Sequence, residues 1–167
     1  IRISQDQMNL LYDTSVILSA EASPSDASSE VIWSSSNEAV ATVDKNGKVH
    51  AAAQGEAVIT AVSAYSEEVY AQCSVCVKSF VLAEKNADGS LGKSASEWTL
   101  YKGDVCDVVL CEVLPDGTLT EVSDYEIVPD KPAIAQISEG VLTGLCVGRT
   151  GITLKKDGIE IRINVSV

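Results

Sequence analysis

The stretch from Val31 to Ala61, VIWSSSNEAVATVDKNGKVHAAAQGEAVITA, constrains the fold of this chain most. Val31-Ile32-Trp33 is a β-prone run, and Ser34-Ser35-Ser36-Asn37 is turn material whose side chains bond nearby backbone. Val40-Ala41-Thr42-Val43 follows, then Asp44-Lys45-Asn46-Gly47, whose Asn-Gly pair is a strong hairpin signal because both residues tolerate positive φ. Val49-His50-Ala51 opens another strand, Gln54-Gly55 breaks it, and period-two alternation puts Ala57, Ile59 and Ala61 on one face. Four short strands without room for a helix indicate a β-sandwich or barrel.

A second copy, YEIVPDKPAIAQISEGVLTGLCVGRTGITL, runs from Tyr125 to Leu154. Ala39–Val43 aligns with Ala133–Ile137, Gly47 with Gly140, Val49 with Leu142, Gly55 with Gly148, and Ile59-Thr60 with Ile152-Thr153. Two glycines and several same-face apolar residues in register mark an internal repeat, hence two related modules. The expected boundaries are 1–78 and 79–167, and the seven short strands of the first module suit a sandwich. Within the first, Ile1–Ser4 starts an edge strand, Met8–Tyr12 continues it after a kink, and Val16–Ala22 is one strand with Leu18, Ala20 and Ala22 inward. Ser23-Pro24-Ser25-Asp26 ends that strand.

The run WSSSNEAVATVDKNGKVHAAAQGEAVITA resembles the bacterial immunoglobulin-like domain, group 2, found in intimin- and invasin-type surface proteins. The likeness covers nearly every position of the first copy, with Glu38 where proline is usual. The second copy restores the proline (Pro132) but has Ile127 in place of the tryptophan. The resemblance implies an all-β chain of two tandem immunoglobulin-like β-sandwiches, the second divergent, with Trp33 inside the first. It also implies a non-catalytic structural or adhesive module at a bacterial cell surface or outside the cell. In that setting the chain is expected to be a monomer within a longer protein, as its start at Ile1 also suggests.

Composition narrows the partners. Net charge is −12, with 24 acidic against 12 basic residues, which disfavours nucleic acid and anionic membrane because both need local positive potential. No apolar run approaches the roughly 18 residues of a membrane helix, so direct membrane insertion is not expected. Aromatics make up only 5%, so the cores must be built from Val, Ile, Leu and Ala.

Five cysteines do not form a disulfide framework. Alternation over Val69–Val77 places Cys73 inward with Val69, Ala71, Val75 and Val77, and Cys76 on the opposite face. Cys111 is expected in an inward series Val109, Cys111, Val113, matched to Leu18, Ala20 and Ala22. Both read as small buried thiols, and Cys106 with Cys146 is the one pair to check for a bond. The single histidine, His50, is expected to face solvent. Carboxylates fall mainly in turns, at Asp44, Asp88, Asp116 and Asp157, and no catalytic, cofactor or metal site is indicated.

Three roles remain open. One is a stiff spacer that presents other domains, since Lys78-Ser79 has almost no linker character. Another is a module binding a glycan or a host surface protein. It would use the polar segment 84–97, as a protruding hairpin or a disordered loop, and exposed aromatics such as Tyr65, Tyr70, Trp98 and Tyr101; the alternative for Trp98 is packing at the edge of the first strand. The last is a spacer within a secreted polysaccharide-degrading enzyme.

Overall fold

The computed structural model describes residues 1–21 and 30–167, so Ala22 and the expected Ser23–Asp26 turn lie outside the described residues. The described residues are strands and turns without helix, and the chain divides into two compact units, Ile1–Ser79 and Phe80–Val167.

In the first unit β1 (Arg2–Ile3), β2 (Gln7–Leu11), β3 (Ser15–Ile17), β4 (Ala20–Glu21), β5 (Val31–Ser35), β6 (Ala41–Val43), β7 (Lys48–Ala51), β8 (Gly55–Ser63) and β9 (Ser66–Lys78) follow in order. One sheet runs β2-β9-β8-β5; strands β3-β7-β6 and the pair β1-β4 form the others. The kink after Ile3 has a structural meaning: β1 pairs with β4, whereas β2 crosses to pair in parallel with β9, Met8 opposite Val75. The expected single strand Val16–Ala22 is likewise broken. Leu18 falls between β3 and β4, fully buried, its N–H donating to the Gly47 carbonyl at 2.9 Å.

Ala57, Ile59 and Ala61 point into the core opposite Val75, Cys73 and Ala71, as their alternation requires. Val69 does not join them; the first five residues of β9 are all exposed, beyond the end of the core. The β6–β7 turn holds positive φ at Gly47 (76°) alone, so it is a type I-like turn closed by a left-handed glycine, not a two-residue Asn-Gly turn. Trp33 is partly buried rather than enclosed, its ring packed against the core and over Gly47.

The second unit contains β10 (Phe80–Lys85), β11 (Leu91–Ala95), β12 (Glu97–Thr99), β13 (Val105–Val113), β14 (Leu119–Glu121), β15 (Glu126–Pro129), β16 (Ala135–Ser138), β17 (Val141–Gly144), β18 (Arg149–Lys156) and β19 (Ile159–Ser166). One sheet runs β12-β19-β18-β15 and the other β11-β10-β13-β17-β16, with β14 also on β13. The pairing registers repeat those of the first unit. Met8 opposite Val75 becomes Trp98 opposite Val165, and Val16 opposite Val49 becomes Cys106 opposite Leu142. Trp33 opposite Ala61 becomes Ile127 opposite Leu154.

These registers correct the expected alignment of β13 by one residue. Cys106, Val108 and Leu110 occupy the positions of Val16, Leu18 and Ala20, and Val108 and Leu110 fill the core. A one-residue slip reverses every side chain, so Val109, Cys111 and Val113 share the other face. Cys111 is buried there nonetheless, beside Val81 of β10 and Glu121 of β14. The last strand needs no correction: Ile159, Ile161, Ile163 and Val165 all point inward.

Candidate binding surfaces

The four aromatic residues singled out from the sequence do not share one surface. Tyr65 and Tyr70 lie in the first unit, Trp98 and Tyr101 in the second. Tyr70 stands opposite Val62, which stands opposite Ile32, so one cross-strand row on the outer face of β5, β8 and β9 is Ile32-Val62-Tyr70. Tyr65, in the β8–β9 turn, adds its ring next to Val62 in a shallow concavity that also includes Ile32. Ile32, Tyr65 and Tyr70 are 62%, 71% and 56% exposed, and the Tyr65 hydroxyl donates to Glu30 Oε2 at 3.2 Å. Part of this patch is legible in the sequence, because Ile32 alternates with Trp33 and so faces outward, whereas its meeting with Tyr70 depends on cross-strand register.

Trp98 is only 4% exposed and is not a surface aromatic. Its Nε1–H donates to the Ala95 carbonyl at 3.1 Å, and Lys93 Nζ lies 5.3 Å from the ring centroid. It packs at the edge strand, taking the place that Met8 holds in the first unit. Tyr101 is the opposite case, 84% exposed in the turn whose Asp104 carboxylate accepts its N–H.

Segment 84–97 is built from strands rather than loop. β10 continues to Lys85, Asn86–Ser90 form a turn, β11 returns along β10, and Glu97 already belongs to β12. Asp88 Oδ1 accepts both the N–H and the hydroxyl of Ser90, and Lys85 pairs with Glu121 at 2.7 Å. Asp44 and Asp116 use the same turn chemistry, each accepting the N–H two residues on, at 2.8 and 2.9 Å. Those bonds favour the carboxylate, so Asp44, Asp88 and Asp116 are all held below the usual range. The largest cause is the Lys48 N–H for Asp44, the Ser90 hydroxyl for Asp88 and the Thr118 N–H for Asp116.

His50 lies on the face of β7 opposite the buried Val49 and Ala51, partly covered, with its Nδ1 3.2 Å from the Ser15 hydroxyl. All five cysteines are free, Cys106 and Cys146 included. Burial, reinforced by Asp6, pushes the Cys73 thiol up to about 11. Among the described residues no group of three or more His, Cys, Asp or Glu could hold a metal ion, and no helix is long and apolar enough to cross a membrane.

With this geometry in hand, the chain is similar to several known proteins. It is 42% identical over 62 residues to a lacto-N-biosidase of Bifidobacterium bifidum, which covers 37% of this chain and 6% of that protein. It is 35% identical over 78 residues to an uncharacterized protein of Clostridium acetobutylicum, covering 46% of this chain and 8% of that one. The chain therefore spans less than a tenth of the length of these curated relatives. Among solved structures, domains 4 and 5 of the S-layer protein SbsC align over 99% of this chain and 96% of that one, at 18% identity and a TM-score of 0.38. The C-terminal 282-residue fragment of intimin, in complex with the intimin-binding domain of its translocated receptor, aligns over 99% and 61% at 13% identity and a TM-score of 0.48. The profile of the bacterial Ig-like domain (group 2) family matches residues 1–72. That stretch, which forms nearly the whole of the first sandwich, is a bacterial Ig-like domain of group 2.

Proposed function

We propose that the chain is a non-catalytic structural module of a larger bacterial cell-surface or secreted protein, a stiff spacer of two immunoglobulin-like units that presents other domains. The second unit is then a divergent copy of the first. The observation that carries this reading is the junction. β9 ends at Lys78 and β10 begins at Phe80, so a single residue separates two sheets. A flexible connection needs several residues free of strand pairing, and only Ser79 stands between these strands. The lacto-N-biosidase relative supports the same role inside an enzyme, because the matched part is 6% of that protein. Small-angle X-ray scattering of the 167-residue chain tests the reading. One narrow distribution of interatomic distances is expected; a profile that only a broad ensemble of unit orientations can fit overturns the stiff spacer.

The patch Ile32-Val62-Tyr65-Tyr70 favours a second reading, a module that binds a glycan or a host surface protein. Tyrosine side chains offer large contact area at low entropy cost, as recognition surfaces require. Binding to a glycan and matrix-protein array, abolished in Tyr65→Ala/Tyr70→Ala with the fold intact, would establish it. An empty array with the folded chain leaves the spacer alone.

A further inference from the structure

Two concavities, of about 480 and 550 Å³, lie at register-equivalent places in the two units. Each occupies the outer face of the sheet that contains the parallel strand pair, between β2, β9 and β8 in one unit and β12, β19 and β18 in the other. The registers Ala57 opposite Val75 and Thr150 opposite Val165 fix the correspondence. Glu56 of the first unit is replaced by Arg149, Val58 by Gly151 and Ser74 by Asn164. The same scaffold position thus changes from acidic to basic, in a chain of net charge −12.

The chain has three arginines, and two of them, Arg149 and Arg162, border this second concavity. Arg162 is held by an ion pair with Asp130. Gly151 makes that pair possible, since a Cβ there would collide with the Arg162 guanidinium and the Asp130 carboxylate. A glycine inside a strand weakens it, and no positive φ requires one at this position, so its effect is to seat the arginine. Arg149 is exposed and has no ion pair or side-chain hydrogen bond among the described residues. A guanidinium is a fork of donors suited to a carboxylate, and here it stands free next to Asn164 and the hydroxyl of Ser166.

We propose that this concavity of the second unit binds the carboxylate of a short acidic saccharide. Arg149 takes the carboxylate, while Asn164, Ser166 and the fixed Arg162–Asp130 pair meet sugar hydroxyls. The chemistry of the walls selects this ligand class. Protein interfaces centre on exposed aromatic or aliphatic anchors, whereas the large apolar side chain at this site, Trp98, is buried. A long polyanion needs many phosphate or sulfate contacts at once, which Arg149 and Lys131, set beside Glu97 and Asp130 on an acidic chain, do not supply. The proposal does not depend on the spacer reading, and a spacer with a glycan contact is compatible with both.

Three arginines give three side-chain Nε–Hε signals, so the test is direct. The full chain is titrated with sialyllactose, lactose and acetate while these signals are followed by NMR. Sialyllactose is expected to shift the Arg149 signal saturably at millimolar concentration, with Arg162 following and Arg2 unmoved. Arg149→Gln is expected to weaken binding by about tenfold or more. Gly151→Val, which installs the first unit's residue and displaces Arg162, should weaken it with Arg149 still present. Backbone spectra of each variant verify the fold. No shift with sialyllactose, or undiminished affinity in Arg149→Gln, overturns the site. An equal response to acetate reduces it to adventitious anion binding and overturns the saccharide assignment.

Discussion

Gly55 and Gly148 show how one residue type settles a local geometry twice. Both have positive φ, 135° and 156°, and in both a Cβ would press on the same neighbour, Val40 Cγ2 at 3.0 Å or Ile134 Cδ1 at 2.9 Å. That neighbour is fixed from its other side. The Val40 carbonyl accepts the N–H groups of Ala52 and Ala53, and the Ile134 carbonyl accepts those of Leu145 and Cys146. Gly55→Ala and Gly148→Ala should therefore each cost more than about 1 kcal/mol, read as a lower midpoint in urea. Adding Val40→Ala relieves the clash but not the backbone strain, so it should not restore the Gly55→Ala protein. The turn aspartates give a pH signature. Asp44, Asp88 and Asp116 have lowered folded-state values, so their contribution is full above the unfolded value of 3.8 and fades as pH falls through the folded values. Thermal melts between neutral pH and the acid range should show stability falling below about pH 4. Asp44→Asn, which still offers a side-chain carbonyl to Asn46, should keep the turn and soften that acid decline. Thiol chemistry follows exposure in the same way: Cys146 should alkylate in the native protein, while Cys73 and Cys111 should react only on unfolding.

At the scale of elements, the two units solve one packing problem with different side chains. Trp33 faces Ala61 across β5 and β8, while Ile127 faces Leu154 across β15 and β18, a large-small pair exchanged for two of middle size. Trp33→Ala should cost about 2–4 kcal/mol, near the lower part of the range for buried aromatics because the ring is only partly covered. Trp33→Ile with Ala61→Leu should recover part of that loss, since total volume is nearly kept. Denaturant melts of the single and double variants check both, and no recovery would mean the two pairs are not equivalent. The strand periods and turn residues of this architecture were legible in the sequence because each is a local property. Ala57, Ile59 and Ala61, or the run from Ile159 to Val165, declare their inner face by alternation alone. What alternation could not give was register across a gap. Val109 and Val108 are both apolar, so the sequence offers no local reason to prefer the series that includes Val108 and Leu110. Hydrogen bonding of Val108 to the Gly140 carbonyl, where Leu18 bonds to Gly47, settles it. Nor could alternation show that Trp98 turns inward, because its burial depends on parallel pairing with β19, distant in sequence. The concave face in the second unit was hidden for the same reason: Asp130, Gly151 and Arg162 come from three strand regions and meet only in the folded sheet.

Across the molecule, charge and the division of the core act together. Each unit has its own buried set, Leu18, Val49, Ile59 and Val75 in one, and Leu82, Leu110, Leu142, Ile152 and Ile163 in the other. Domains of this size bury about 60–65% of their unfolded surface, so each is expected to be marginal on its own yet cooperative. Residues 1–79 and 80–167, expressed separately, should each give a dispersed NMR spectrum and a single cooperative melt. The excess of 12 negative charges opposes compaction in both, and salt screens that repulsion. Raising ionic strength should thus raise both melting temperatures, the reverse of what a fold held by surface ion pairs would show. Ion pairs among the described residues, such as Lys85–Glu121 and Lys155–Glu160, are too exposed to outweigh this. If either fragment fails to fold while the whole chain folds, its stability rests on the neighbouring unit, and the two sandwiches form one cooperative body. If both fold but salt lowers their melting temperatures, attraction at specific sites outweighs the net charge, and Arg162–Asp130 in the second unit is the first pair to remove.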